Sequence, residues 1–192
     1  MLLTYLVVFV LLFSSFTANK EADFLVQKNC NRMKQIPIPT GTEDFLKTCI
    51  TSLKENPETK KVRNNIDLCV VATNNAISNI TNMKRIVEKF IKEKRYKSSL
   101  IKKKLELCLH HYQDGYEWLI SGLNYVKEKD SEMASPDLGM AKHQIVACRK
   151  RFKKGEINPF KKENQVLYVM IHIADLINSM ADCETPDAGP SC

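Results

Sequence analysis

The side chains best equipped for chemistry are four histidines and seven cysteines. His110 and His111 are adjacent, so on a helix they point about 100° apart and do not ligate one ion in simple fashion. Glu106 and Asp114 stand one turn either side of His110 and could make a carboxylate-flanked histidine, but ordinary helix salt bridging uses the same spacing and is the plainer reading. His172 near Asp175 reads likewise as a packing or surface histidine. No zinc-helix signature, nucleophile elbow or phosphate-cradling glycine loop occurs. The chain is therefore expected to bind another molecule without metal or cofactor, and not to be an enzyme.

The cysteines point to disulfides and export. Residues Met1 to Asn19 carry no charged side chain, and Leu2 to Phe13 is almost unbroken hydrophobic sequence. That is the pattern of a secretory signal, with cleavage between Ser14 and Ala22, and residues 1–18 are assigned to it. Paired thiols persist in oxidising compartments. Cys30 and Cys49 flank a proline-rich turn, and pairing them would clamp a helical hairpin. Cys108 and Cys148 fall on two successive antiparallel helices and can meet, although a connection at about residues 127–135 leaves their heights mismatched by about 9 Å. Cys69, between Leu68 and Val70, reads as a buried inert thiol. Cys183 and Cys192 lie on a tail with Pro186, Gly189 and Pro190 and can bond each other.

Charge narrows the partners. The net charge is +7 with pI near 9.0, none of it in the signal segment. The cations cluster as Lys92, Lys94, Arg95, Lys97, Lys102, Lys103, Lys104 and again from Arg149 to Lys154. A solvated face is the plain reading; outside the cell such a face also associates weakly with acidic polysaccharide. The sequon Asn79-Ile80-Thr81 offers one glycosylation site, provided Asn79 faces water.

These residues need helices to position them. Glycine is scarce, at six residues, and apolar side chains repeat every three or four positions, so the class is all-α. A first short helix over Glu21–Lys34 carries Phe24, Leu25, Lys28 and Cys30 and stops at the run Ile36 to Gly41. Thr42 can cap a second, through Phe45, Leu46, Cys49 and Leu53 to Asn56-Pro57. A long helix is expected near residues 60–95, and another after Ser98 and Ser99. A third begins at Ser135-Pro136 and ends in the Arg149 to Lys154 cations before Gly155. The last runs from about Lys162 to Ala181. Residues 19–192 thus read as one domain, a hairpin at about 21–56 and an up-and-down four-helix bundle at about 60–181, stapled by disulfides.

The spacing Leu105-x-x-Cys108-x-x-x-Tyr112-x-x-Gly115-x-x-x-Leu119-x-x-Gly122, followed by Ala147-Cys148-x-x-x-Phe152, resembles the plant invertase and pectin methylesterase inhibitor family, where these glycines are usually alanines. Phe45-x-x-x-Cys49-x-x-x-Leu53, Ala72 and Ala76, and Asn158-Pro159-Phe160 with Asn164 fall in the matching order. The resemblance runs from about Phe24 to Met180. It implies a four-helix bundle with an amino-terminal hairpin, bonds Cys30–Cys49 and Cys108–Cys148, and 1:1 inhibition of a cell-wall carbohydrate-active enzyme in the apoplast. The Pro-Lys-Phe element of known invertase inhibitors is absent; the chain reads Ala134-Ser135-Pro136-Asp137-Leu138 there. Pectin methylesterase is accordingly preferred over acid invertase as partner, with no nucleic acid and no membrane after signal cleavage. The target-binding residues are left unassigned. The other reading is an extracellular carrier of a small apolar ligand, lined by Met33, Met83, Met140, Met170 and Met180.

Overall fold

The computed structural model describes residues 20–33, 45–153 and 155–182. The signal segment, the Ile36 to Gly41 turn, Thr42 and the Cys183–Cys192 pair lie outside them. Six α-helices are described, together with one 3₁₀ turn, and there is no strand among these residues. They are α1 (residues 20–33), α2 (Phe45–Lys54), α3 (Asn65–Lys92), α4 (Ser99–Glu128), α5 (Ser131–Lys150) and α6 (Lys161–Asp182). The 3₁₀ turn, Pro57–Lys61, links α2 to α3.

Local chemistry fixes most of the boundaries. Asn64 caps α3 by accepting from the Asp67 N–H at 2.8 Å, while Asp67 accepts in return from the Arg63 N–H at 3.0 Å. Ser98 caps α4 through the Ile101 N–H at 3.3 Å. Both α3 and α4 end with a left-handed lysine, Lys94 at φ 54° and Lys129 at φ 63°. In each, the next residue's N–H reaches back five positions, Arg95 to the Phe90 carbonyl at 3.1 Å and Asp130 to the Tyr125 carbonyl at 2.9 Å.

The start of α5 differs from the sequence expectation. The helix opens at Ser131, not at Ser135-Pro136, because Asp130 caps it by accepting from the Met133 N–H at 3.0 Å. Pro136 consequently sits inside the helix and leaves the Glu132 carbonyl without its usual donor, on a stretch where both residues are exposed to water. The α4–α5 connection shrinks to Lys129 and Asp130. Cys108 now lies about 21 residues before this turn and Cys148 about 18 after it, which halves the expected stagger to about 4–5 Å. At its other end α5 stops at Lys150, so Lys153 belongs to the connection.

Helices α3, α4, α5 and α6 pack each against its chain neighbour, and α6 closes against α3. The hairpin lies on this bundle. Its arms run antiparallel, because Cys30 bonds Cys49 with a Cα–Cα distance of 5.8 Å while Asp23 pairs with Lys54 at 3.1 Å. Three buried or half-buried amides hold it to α3. Asn29 donates to Asn65 Oδ1 at 2.8 Å, Asn56 donates to Asn75 Oδ1 at 2.7 Å, and Asn75 donates to the Ser52 carbonyl at 2.7 Å. Near the start of α3, Leu68, Cys69, Val71, Ala72 and Thr73 are all buried, so this end of the helix is covered on more than one side. On α1 the buried side is Ala22, Leu25, Val26, Asn29, Cys30 and Met33, whereas Phe24 is 66% exposed.

The most closely approached seam joins α4 and α5. Cys108, Gly115 and Gly122 recur every seven residues on α4, and Ala134, Ala141 and Cys148 do the same on α5, all buried. Small residues at heptad spacing let two helix backbones come together. Cys108 bonds Cys148 across a Cα–Cα distance of 4.7 Å. A Cβ on Gly115 would stand 3.0 Å from Ile80 Cδ1, and one on Gly122 would stand 3.3 Å from Asp137 Cβ.

Candidate functional site

No three or more His, Cys, Asp or Glu side chains gather as a metal site among the described residues. The histidines separate in space. His110 is exposed on α4. His111 turns toward α5, where its Nδ1 lies 2.8 Å from Gln144 Oε1 and its Nε2 accepts from Arg151 Nη2 at 3.0 Å. That arrangement holds the proton on Nδ1 and bolts the end of α5 to α4.

His172 is half-buried between the rings of Phe45 and Tyr168, at centroid distances of 6.3 and 6.0 Å. Lys142 reaches it from α5, with Nζ 3.5 Å from His172 Nδ1, and also forms an ion pair with Asp175. Burial, and then the Lys142 charge, depress the His172 pKa, against a smaller opposing effect of Asp175. This group ties α2, α5 and α6 together. Its contacts join three helices through rings and one ion pair, which is a packing arrangement.

The remaining buried polar groups are structural as well. Tyr112 donates to Asn164 Oδ1 at 2.6 Å and lies 3.3 Å from Cys148 Sγ, which links α4, α6 and the disulfide. Desolvation pushes the Tyr112 hydroxyl well above its ordinary pKa. Cys69 is a free, fully buried thiol that donates to the Ala174 carbonyl at 3.4 Å. Burial raises its pKa to about 12, so almost none of it is thiolate near neutrality. Asn79 is half-exposed and borders a groove between α2, α3 and α6, while Thr81 of the same sequon donates its hydroxyl to the Ile77 carbonyl at 2.8 Å. Among the methionines, Met33, Met83 and Met180 are buried and Met140 is 40% exposed, so the five do not line one cavity. The void between Cys69, Val126, Asn178 and their neighbours holds about 80 Å³, too little for a sizeable ligand.

What the molecule presents outward is a set of rigid helical faces. On α4, Leu107 and Trp118 are 43% and 36% exposed, eleven residues apart and thus on nearly one line of the helix. His110 and Asp114 are exposed between them. An apolar and aromatic strip with polar flanks on a disulfide-fixed helix can form a protein contact but has no means of bond-breaking chemistry.

The motif residues sit on the opposite, inner side of the same helix. Leu105, Cys108, Tyr112, Gly115, Leu119 and Gly122 are all buried, and Phe160 and Asn164 are buried at the start of α6. Comparison with known proteins agrees with that core. The family model described as Plant invertase/pectin methylesterase inhibitor matches residues 25–177. "Pectinesterase inhibitor 12" of Arabidopsis thaliana is 33% identical over 107 residues, covering 55% of this chain and 60% of that protein's length. The crystal structure of a mutant form of a pectin methylesterase inhibitor from Arabidopsis superposes with TM-score 0.62 at 13% identity, over 71% of this chain and 89% of that one. A second Arabidopsis thaliana pectin methylesterase inhibitor structure gives TM-score 0.57 at 12% identity, over 81% and 95%. The all-α bundle is shared with both. The chain belongs to the plant invertase/pectin methylesterase inhibitor family, whose members inhibit such enzymes rather than act as enzymes themselves.

Proposed function

We propose that the chain is an exported inhibitor that forms a 1:1 non-covalent complex with a pectin methylesterase and excludes substrate from its cleft. The family match over residues 25–177 carries this reading. Export is supported by the uncharged apolar leader and the disulfide framework, and no helix among the described residues is long and apolar enough to cross a membrane. The proposed contact is the α4 strip Leu107, His110, Asp114 and Trp118, because a tryptophan anchored in a helix brings large contact area at small entropic cost. Two disulfides and the amide ties leave little of the bundle to be ordered on binding.

Pectin methylesterase is preferred over acid invertase. The stretch standing where invertase inhibitors have Pro-Lys-Phe is folded into α5, with Ala134, Asp137 and Leu138 buried and only Ser135 and Pro136 reaching the surface, so it offers neither the lysine nor the phenylalanine of that element. The carrier reading has less behind it: its methionines line no common cavity, and the apolar hollow between Phe90, Tyr96, Ile101, Ile157 and Pro159 holds about 250 Å³, below the size of an ordinary ligand pocket.

The test is a titration of refolded mature protein against one pectin methylesterase and one acid invertase at mildly acidic pH. Saturable loss of the esterase activity near equal molarity is expected, with the invertase unaffected. Trp118→Ala, checked for an unchanged helical spectrum, is expected to weaken inhibition by about tenfold or more, the scale of a hot-spot truncation. Full esterase activity at excess inhibitor, with both disulfides formed, would sink the proposal. An undiminished Trp118→Ala would move the contact off this strip.

A further inference from the structure

The α5–α6 junction concentrates positive charge in a way that helix electrostatics does not account for. Arg149 and Lys150 end α5, Lys153 stands in the connection and Lys161 opens α6, and all four line one groove of about 610 Å³. Cations at the end of α5 favour that helix dipole, but Lys161 sits at the positive end of α6, where a cation is disfavoured. None of the four forms a contact ion pair with a carboxylate among the described residues, although the charge of Lys153 acts on Glu156. The carboxylate that lines the groove, Glu156, is already engaged by Lys104 and by the Lys153 N–H at 2.8 Å. Four cations and one carboxylate thus line a single depression, a local excess of positive charge.

The floor of that depression is apolar. Val146, half-buried Phe152 and the nearly buried ring of Tyr168 form it. Asn158 lies beside them, with its Oδ1 accepting from the Phe160 N–H at 2.9 Å, which leaves its amide NH₂ free to donate. Unpaired cations on the rim, a recessed aromatic and aliphatic floor and an amide donor match a sugar ring that carries a carboxylate and hydroxyls.

We infer that the α5–α6 groove binds an acidic polysaccharide of the polyuronate type, in addition to whatever protein the α4 strip engages. The inference rests on the export proposed above and not on inhibition. Binding is electrostatic at the rim, so it weakens as salt rises, and methyl esterification of the uronates removes the charge that the rim recognises.

The test measures binding of the refolded protein to immobilised polygalacturonate and to its fully methyl-esterified form, at low and at physiological salt. One variant replaces Arg149, Lys150, Lys153 and Lys161 by Gln; a control replaces Lys92, Lys94, Lys97 and Lys103 by Gln and removes the same total charge. The groove variant is expected to lose about tenfold or more in affinity for the de-esterified polymer, and the control about threefold or less. Equal losses in the two variants would overturn the proposal, since net charge alone would then explain binding. So would equal affinity for the esterified polymer, no binding at low salt, or binding to phosphatidylserine vesicles without binding to polygalacturonate. The esterase titration is run on the same samples. Wild-type protein that inhibits without binding polymer overturns the groove alone, and protein that binds polymer without inhibiting overturns the inhibitor reading alone.

Discussion

His172 shows how a residue that looks chemically able becomes part of the scaffold. It is wedged between Phe45 and Tyr168 with Lys142 against its Nδ1, and its pKa is lowered by burial first and the lysine charge second. The unfolded chain takes up that proton more readily, so His172 contributes stability above its unfolded pKa of about 6.5. That contribution is lost as pH falls from there through the lower folded value. Between pH about 7.5 and 5.5 the unfolding free energy of the wild type should therefore fall more steeply than that of His172→Gln. Urea melts across this range decide the point, and parallel slopes would remove His172 from the account. The sequence showed His172 and Asp175 one turn apart; it did not show Lys142 or Phe45, which come from other helices.

At the scale of elements, the α4–α5 seam carries the clearest prediction. Both seam glycines are helical, where Gly→Ala favours the helix by about 1 kcal/mol if space allows. At Gly115 the new methyl would meet the tip of Ile80, a flexible end that can rotate aside, with Gln144 Cβ at an ordinary 3.5 Å. At Gly122 it would meet Leu138 Cδ2 at 3.2 Å and both Leu138 Cγ and Asp137 Cβ at 3.3 Å; the buried leucine has little room to turn and the aspartate Cβ moves only with the α5 backbone. Gly115→Ala is expected to stabilise by up to about 1 kcal/mol, and Gly122→Ala to be neutral or to destabilise by about 1 kcal/mol. Equal stabilisation by both in denaturant titrations would show that the seam is looser at Gly122. The seam also illustrates why a cap outweighs a proline signal. Ser135-Pro136 has the composition of a helix start, but Asp130 follows the left-handed Lys129 and offers its carboxylate one turn earlier.

The whole molecule is a bundle with a hairpin that one disulfide clamps internally and a few amides tie to α3. Closing loops of 19 and 40 residues, the Cys30–Cys49 and Cys108–Cys148 bonds contribute about 3 and about 4 kcal/mol by chain-entropy reasoning. They act on different units. Cys30→Ala with Cys49→Ala should release α1 and α2 while α4 and α5 keep their amide protection, whereas the pair of Cys108 and Cys148 replacements should lower protection throughout the bundle. Hydrogen exchange resolves the two. Loss of α4 and α5 protection in the first variant would show that hairpin and bundle unfold as one.

Sequence alone determined the all-α class, the helix count of the bundle and the family. These rest on local quantities: the 3.6-residue period, the scarcity of glycine, and the spacing from Leu105 to Gly122 that one helix must place on one inner face. That same spacing is buried, which is why it identifies the fold and is silent about the target. Only the tertiary structure decided which faces remain outward and which charges converge. The hairpin's docking paired Asn29 with Asn65 and Asn56 with Asn75, the two-residue turn at Lys129 and Asp130 set the α4–α5 register, and the α5–α6 connection brought Lys161 beside Arg149 and Lys150. Such relations depend on contacts between residues far apart in the chain, and no periodicity within a single helix encodes them.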